Sequence, residues 1–166
     1  MAFAISSTIL LAIRAIQALL AIIVLGTAAD VAVWWGGAWH AWSPSEFSFL
    51  IFSAVWTLLV LVYLIVVPLR FSESVLHHRF AVLAVESVTM LFWFAGFIAA
   101  AVFMTGRICF GDICKVAKAC IIVAAFEWLL FAITTGLAAL QIFSSRGTVR
   151  SNKHIVSQPA MTQEGV

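Results

Sequence analysis

Four long runs of apolar residues, separated by short polar stretches, dominate the chain. They cover residues 8–29, 47–67, 80–105 and 119–143. Each run has about 20 to 25 residues, which is enough for a helix to cross a hydrocarbon core of roughly 30 Å. The pattern predicts an all-α integral membrane protein built as a four-helix transmembrane bundle.

The remaining residues and the overall composition agree with this class. The chain has 166 residues, of which 64% are hydrophobic and 10% are charged, whereas a soluble domain has about 25% charged residues. Residues 1–143 therefore form the predicted membrane domain. Residues 144–166 are polar, and we expect them to be a disordered cytoplasmic tail. The net charge of +2 is dispersed, which argues against a nucleic-acid partner.

The first apolar run has a second interpretation, as a cleaved signal peptide, because Thr27, Ala28 and Ala29 resemble a cleavage site. However, no lysine or arginine precedes the run, and Arg14 interrupts its apolar stretch. We therefore expect the run to remain as a membrane helix.

The segment 30–45 is rich in tryptophan and is predicted to be a loop at the membrane–water interface. Tryptophan suits that position because its ring is buried while its N–H stays hydrated. A ligand site of stacked aromatic rings is the alternative. The residues concerned are Trp34, Trp35, Trp39 and Trp42.

Four spans place both termini on the same side of the membrane. The connector 70–79 and the tail together carry five lysines and arginines, against three in the two other loops. Since positive residues favour the cytoplasmic side, the termini are predicted to be cytoplasmic.

Two cysteines, Cys109 and Cys114, lie close together in the loop 106–118. With cytoplasmic termini this loop faces an oxidising compartment, where a local disulfide would persist. The plasma membrane or a membrane of the secretory pathway is then the expected location. A membrane thiol oxidoreductase is the alternative, although such enzymes usually carry a two-residue spacing and a second cysteine pair.

Two opposite charges, Arg14 and Glu86, are predicted to form an ion pair inside the membrane. Each lies about six residues into its span from the cytoplasmic side, which is roughly 9 Å of depth. An uncompensated charge at that depth is costly. The alternative for Arg14 is a side chain that extends to the nearby interface.

Small and polar residues recur at helical spacing on the first, third and fourth spans, and we interpret these stripes as the inner faces of the bundle. The fourth stripe contains Glu127, a carboxyl near the middle of the membrane. The cost of burying its charge favours the protonated form, with Thr57 and Thr89 as candidate hydrogen-bond acceptors. The alternative is a proton or cation relay that uses Glu127 and Glu86.

No other chemistry is predicted. His77 and His78 are adjacent, so on a helix they point apart and do not suit one metal ion. The sequence contains no catalytic triad, phosphate-binding glycine loop or zinc spacing. We expect no enzyme activity, no catalytic residue, no cofactor and no metal.

Three features of the sequence resemble the MARVEL-domain membrane proteins, and the fungal branch in particular. They are Arg14 early in the first span, Glu86 ahead of the aromatic run 91–97, and the segment 127–131 on the fourth span. Claudin-type proteins share the four spans but carry two cysteines in the first outer loop, where this chain has none.

The resemblance implies a non-enzymatic role in organising membrane domains, sterol-rich apposition sites or vesicle trafficking. It implies the lipid bilayer, with sterols, as a partner, together with other membrane proteins and further copies of the chain. It transfers no active-site residue.

Overall fold

The structure is a computed structural model that describes residues 7–39, 44–70, 75–106 and 111–156. These residues form four helices: α1 (Ser7–Trp39), α2 (Ser45–Arg70), α3 (Val75–Thr105) and α4 (Asp112–Val156). Every helix contains a segment that is long and apolar enough to cross a membrane. The predicted fold class, an all-α membrane bundle, is confirmed.

The four helices pack in a ring in which α1 contacts α2 and α4, and α3 contacts the same two helices. Contacts near both ends fix the directions. Trp35 of α1 and Phe47 of α2 both contact Phe103 of α3, whereas Arg14 of α1 lies against Glu86 of α3. Thus α1 and α3 are parallel to each other and lie on opposite sides of the bundle. α2 is antiparallel to both.

All four helices extend beyond the apolar runs that predicted them. α3 begins at Val75, inside the predicted connector 70–79, and α4 begins at Asp112, inside the predicted loop 106–118. Residues 30–39 are helical, so the prediction of a loop there is wrong. Similarly, α4 continues past Phe143 to Val156, into the segment expected to be disordered. An apolar run reflects the thickness of the hydrocarbon core, whereas a helix can continue into water as long as its backbone hydrogen bonds are made. No proline interrupts residues 112–156.

The buried side chains lie on the helix faces predicted from the stripes. On α4 they include Ala117, Cys120, Ala124, Glu127, Phe131 and Thr134. On α3 the fully buried residues include Glu86, Thr89, Trp93 and Ala100. The residues on the opposite faces are large and apolar, as a bilayer requires.

α2 and α3 approach each other closely at Gly96. A Cβ atom at this position would lie 2.8 Å from Cδ2 of Leu50 and 3.4 Å from Cδ1 of Phe49. Leu50 is itself fully buried, so it has little room to move. The missing side chain of Gly96 therefore allows the two helices to pack as they do.

Replacing Gly96 with alanine is expected to lower the free energy of unfolding by about 1–3 kcal/mol, because the added methyl group overpacks this contact. The measurement is reversible unfolding in detergent or lipid. Gly26→Ala is the matched control, since Gly26 is exposed and no atom lies within 4 Å of its added Cβ. Equal stability of the two variants would contradict the overpacking argument.

Candidate functional site: polar groups inside the bundle

Arg14 and Glu86 form a salt bridge that joins α1 to α3 across the bundle. The Arg14 side chain is 12% exposed and that of Glu86 is 2% exposed. Arg14 Nη1 also donates to Oε1 of Gln17, one turn along α1, at 3.0 Å. The structure therefore brings the two predicted partners together, and the Arg14 side chain turns into the bundle instead of extending to the interface.

The local reason for this cluster is helical spacing. Arg14 and Gln17 are three residues apart, so they lie on neighbouring positions of one face of α1. Burial removes water from all three side chains, and each charge is then compensated mainly by the other. No partner for Gln17 was predicted from the sequence.

Two tryptophan–threonine hydrogen bonds join α2 and α3 reciprocally. Trp56 Nε1 of α2 donates to Thr89 Oγ1 of α3 at 3.1 Å. Trp93 Nε1 of α3 donates to Thr57 Oγ1 of α2 at 2.9 Å. A buried indole N–H needs an acceptor, so these bonds hold the two helices in one register.

The same bonds correct the prediction for Glu127. Each threonine hydroxyl donates to a carbonyl oxygen of its own helix, Thr57 to Ser53 and Thr89 to Val85, both at 2.8 Å. Their oxygens also accept the tryptophan N–H groups. Glu127 has no hydrogen-bond partner among the described residues, so the interpretation of Thr57 and Thr89 as its acceptors is wrong.

Glu127 is 0% exposed, and neither of its carboxyl oxygens has a hydrogen-bond partner among the described residues. Gln17 Nε2, Glu86 Oε2 and Thr135 Oγ1 likewise have no hydrogen-bond partner among the described residues. Buried polar groups are nearly always hydrogen-bonded to protein or to ordered water. These atoms are thus the chemically unsatisfied part of the bundle interior.

The predicted interfacial tryptophans lie at the end of α1 or beyond it. Trp34 packs edge-to-face on Trp35, with ring centroids 5.7 Å apart, and Trp35 packs likewise on Phe103. Trp39 is the last residue of α1, but its side chain is outside the described part of the structure, as is all of Trp42. Their position at the membrane interface stays a prediction.

Cys109 lies outside the described residues, so its disulfide with Cys114 also stays a prediction. Cys114 is buried near the start of α4. Gly111 precedes that helix with a φ of 89°, which residues with a Cβ rarely adopt. Cys120 is buried, and its side chain lies near Thr27 of α1.

Aromatic side chains form a continuous group on the outside of the α2–α3 pair, which we term the α2–α3 aromatic cluster. Its rings meet at centroid distances from 5.7 to 6.4 Å. Its members are Phe49, Phe52, Trp56 and Phe92. Sequence reasoning missed this cluster because it connects positions on two different helices.

No group of three histidine, cysteine, aspartate or glutamate side chains suited to a metal ion occurs in the described ranges. Comparison with family models finds one for MARVEL, a membrane-associating domain, that matches residues 6–137. Comparisons with curated proteins and with solved structures find no match.

Proposed function

Because the chain belongs to the MARVEL family of membrane-associating domains, we propose that it organises membrane domains, apposition sites or trafficking sites without catalysing a reaction. The family match and the four membrane-crossing helices make it a multi-pass membrane-associating protein in contact with the bilayer. The specific role, the membrane and the partners are our proposal. The resemblance to the fungal branch remains a prediction.

The observation that carries the proposal is the division between the inside and the outside of the bundle. Inside, polar side chains bond one helix to another, as in Arg14–Glu86 and Trp93–Thr57. Outside, every helix presents large apolar side chains, among them Leu11, Leu19, Leu59, Val62, Val102, Ile122 and Leu140. A bundle of this kind is expected to act through its surface, on lipids and on other membrane proteins.

The α2–α3 aromatic cluster is the surface feature best suited to that role. Phe52 is 49% exposed, and the rings hold one another at fixed angles and distances. Rigid rings lose little conformational freedom on binding. We propose that flat lipids such as sterols, other membrane proteins or further copies of the chain pack on this cluster.

The hydroxyl groups support a non-enzymatic role. Thr27, Ser53, Thr57, Ser87 and Thr89 each donate to a backbone carbonyl of their own helix. A nucleophilic hydroxyl would instead donate to a general base. We further propose cytoplasmic termini and a location in the plasma membrane or the secretory pathway, on the charge and cysteine arguments given above.

We expect the protein to concentrate in one phase of giant vesicles with coexisting lipid phases. Replacing Phe49, Phe52 and Phe92 together with leucine should shift this distribution, because leucine keeps the surface apolar but removes the rings. Fluorescence microscopy of labelled full-length protein measures the ratio between the phases. Phe126→Leu is the matched control, since Phe126 is an exposed phenylalanine on α4, outside the cluster.

An even distribution of the wild type, with or without sterol, would contradict the proposal. If the triple variant retains the phase preference of the wild type, the aromatic cluster does not cause that preference. The proposed membrane-organising role would then stand without the cluster.

A second candidate, a small proton or cation transporter or channel subunit, is favoured by Glu127, whose oxygens are buried without a partner among the described residues. Flux of protons and cations through reconstituted protein tests it directly. We expect no flux. Flux that is lost in Glu127→Gln would replace the membrane-organising proposal with a transport role.

A further inference from the structure

The last part of α4 is a positively charged stretch that lies beyond the apolar spans. The helix continues past Phe143, whose ring is exposed, and ends at Val156. Residues 144–156 contain three lysines and arginines but no aspartate or glutamate, and neither acidic residue type occurs anywhere from residue 128 to residue 163. We term residues 144–156 the basic extension of α4.

The three basic residues of this extension occupy one face of the helix. They are Arg146, Arg150 and Lys153, which follow one another at intervals of four and three residues. Positions at these intervals are neighbours along an α-helix, and like charges on them repel one another. Because the extension contains no acidic residue, the chain offers no local charge that compensates them. The pattern therefore favours an anionic surface outside the chain as the partner.

The opposite end of the bundle is balanced in charge. Its segments, residues 30–46 and 106–118, carry three basic and three acidic residues, and Lys115 pairs there with Asp112 at 2.9 Å. At the end that contains the termini, the α2–α3 connector and the stretch after residue 143 together carry five basic residues and two acidic ones. Three of those five belong to the basic extension. The surplus of positive charge is thus concentrated at one end of the bundle, next to the end of the fourth span.

The helical rise places the basic extension at the height of the lipid headgroups. Phe143 is apolar and exposed, so we place it at the edge of the hydrocarbon core. Arg146 is then about 4.5 Å beyond that edge, within a headgroup layer of roughly 5–7 Å. Arg150 and Lys153 are about 10.5 and about 15 Å beyond the edge. Both therefore lie within about one Debye length, roughly 8 Å at physiological ionic strength, of the outer limit of that layer.

We propose that the basic extension of α4 binds the headgroups of anionic phospholipids in the leaflet on the side of the termini. Arginine and lysine donate charge-assisted hydrogen bonds to phosphate oxygens, and a basic segment next to a membrane span is attracted to an anionic leaflet. The headgroups compensate the charges that repel one another along the basic face. The site lies outside the hydrocarbon core, apart from the α2–α3 aromatic cluster, and does not depend on the membrane-organising role proposed above.

Native mass spectrometry of the full-length protein in mild detergent tests the proposal. Phosphatidylserine and phosphatidylcholine with identical acyl chains are added in equal amounts, and the ratio of the two bound lipids is measured. We expect the wild type to prefer phosphatidylserine, and the preference should fall as the ionic strength rises. The triple variant Arg146→Gln/Arg150→Gln/Lys153→Gln should lower the preference at least about fivefold, which is the effect of one charge near an anionic surface.

The matched control removes the same number of positive charges from the opposite end of the bundle. This variant, Arg107→Gln/Lys115→Gln/Lys118→Gln, should retain the preference. A wild type that binds the two lipids equally would overturn the proposal, and that measurement requires no variant to fold. A preference that the basic-extension variant retains would also overturn it, since the anionic lipid would then bind elsewhere. An equal loss in both triple variants would do the same, because the preference would then reflect net charge alone.

Discussion

Replacing Arg14 with alanine is expected to lower the free energy of unfolding by about 3–5 kcal/mol, because Glu86 is left buried without an opposite charge. Glu86→Ala should have a similar effect for the reciprocal reason. The double variant should lose clearly less than the sum of the two single losses, since it buries no uncompensated charge. Reversible unfolding in detergent or lipid measures all three.

Lys118→Ala is the control for the loss of a positive charge. Lys118 is exposed on α4, and no salt bridge within the described ranges includes it. Its replacement should change stability by no more than about 0.5 kcal/mol. Strictly additive losses in the Arg14 and Glu86 variants would mean that the two charges do not stabilise each other.

Replacing Trp93 with alanine should also cost about 3–5 kcal/mol, because it leaves a large cavity between α2 and α3. Trp93 is among the largest fully buried side chains. Thr57→Val removes the hydrogen bond to Trp93 while keeping nearly the same side-chain volume, so it separates the two effects. It leaves the indole N–H of Trp93 buried without its acceptor, at a cost of about 1–3 kcal/mol.

Trp34→Ala is the control for the loss of an indole ring. Trp34 is 42% exposed near the end of α1, so its replacement opens no cavity in the core. We expect a much smaller loss of stability, measured in the same unfolding experiment. A loss as large as that of Trp93→Ala would show that ring burial does not determine the effect.

The number of helices and the inner faces could be predicted from the sequence because the bilayer imposes simple rules on both. A span needs a fixed length of apolar chain, and polar residues must turn away from lipid. The proximity of Arg14 and Glu86 followed from equal depth alone. When two helices start on the same side of the membrane, residues at equal distances from the starts of their spans lie at equal depths in the membrane.

The partners of the neutral polar groups could not be predicted in this way. Thr57 and Thr89 were matched with Glu127 by depth, but depth does not say which neighbouring helix a side chain faces. The two tryptophans on these spans could have indicated the partners of the threonines. Trp56 and Trp93 lie well inside their spans, where an indole N–H requires an acceptor from a neighbouring helix, and hydroxyl groups were available on the facing helix.

The order of the helices in the ring has a consequence for the synthesis and assembly of the protein. Chains are made from the N-terminus, so α1 enters the membrane with Arg14 before the ribosome has produced Glu86 on α3. In addition, α1 packs on α4, the last helix to be made. The first helix is therefore complete before its charge partner Glu86 and its packing partner α4 have been synthesised.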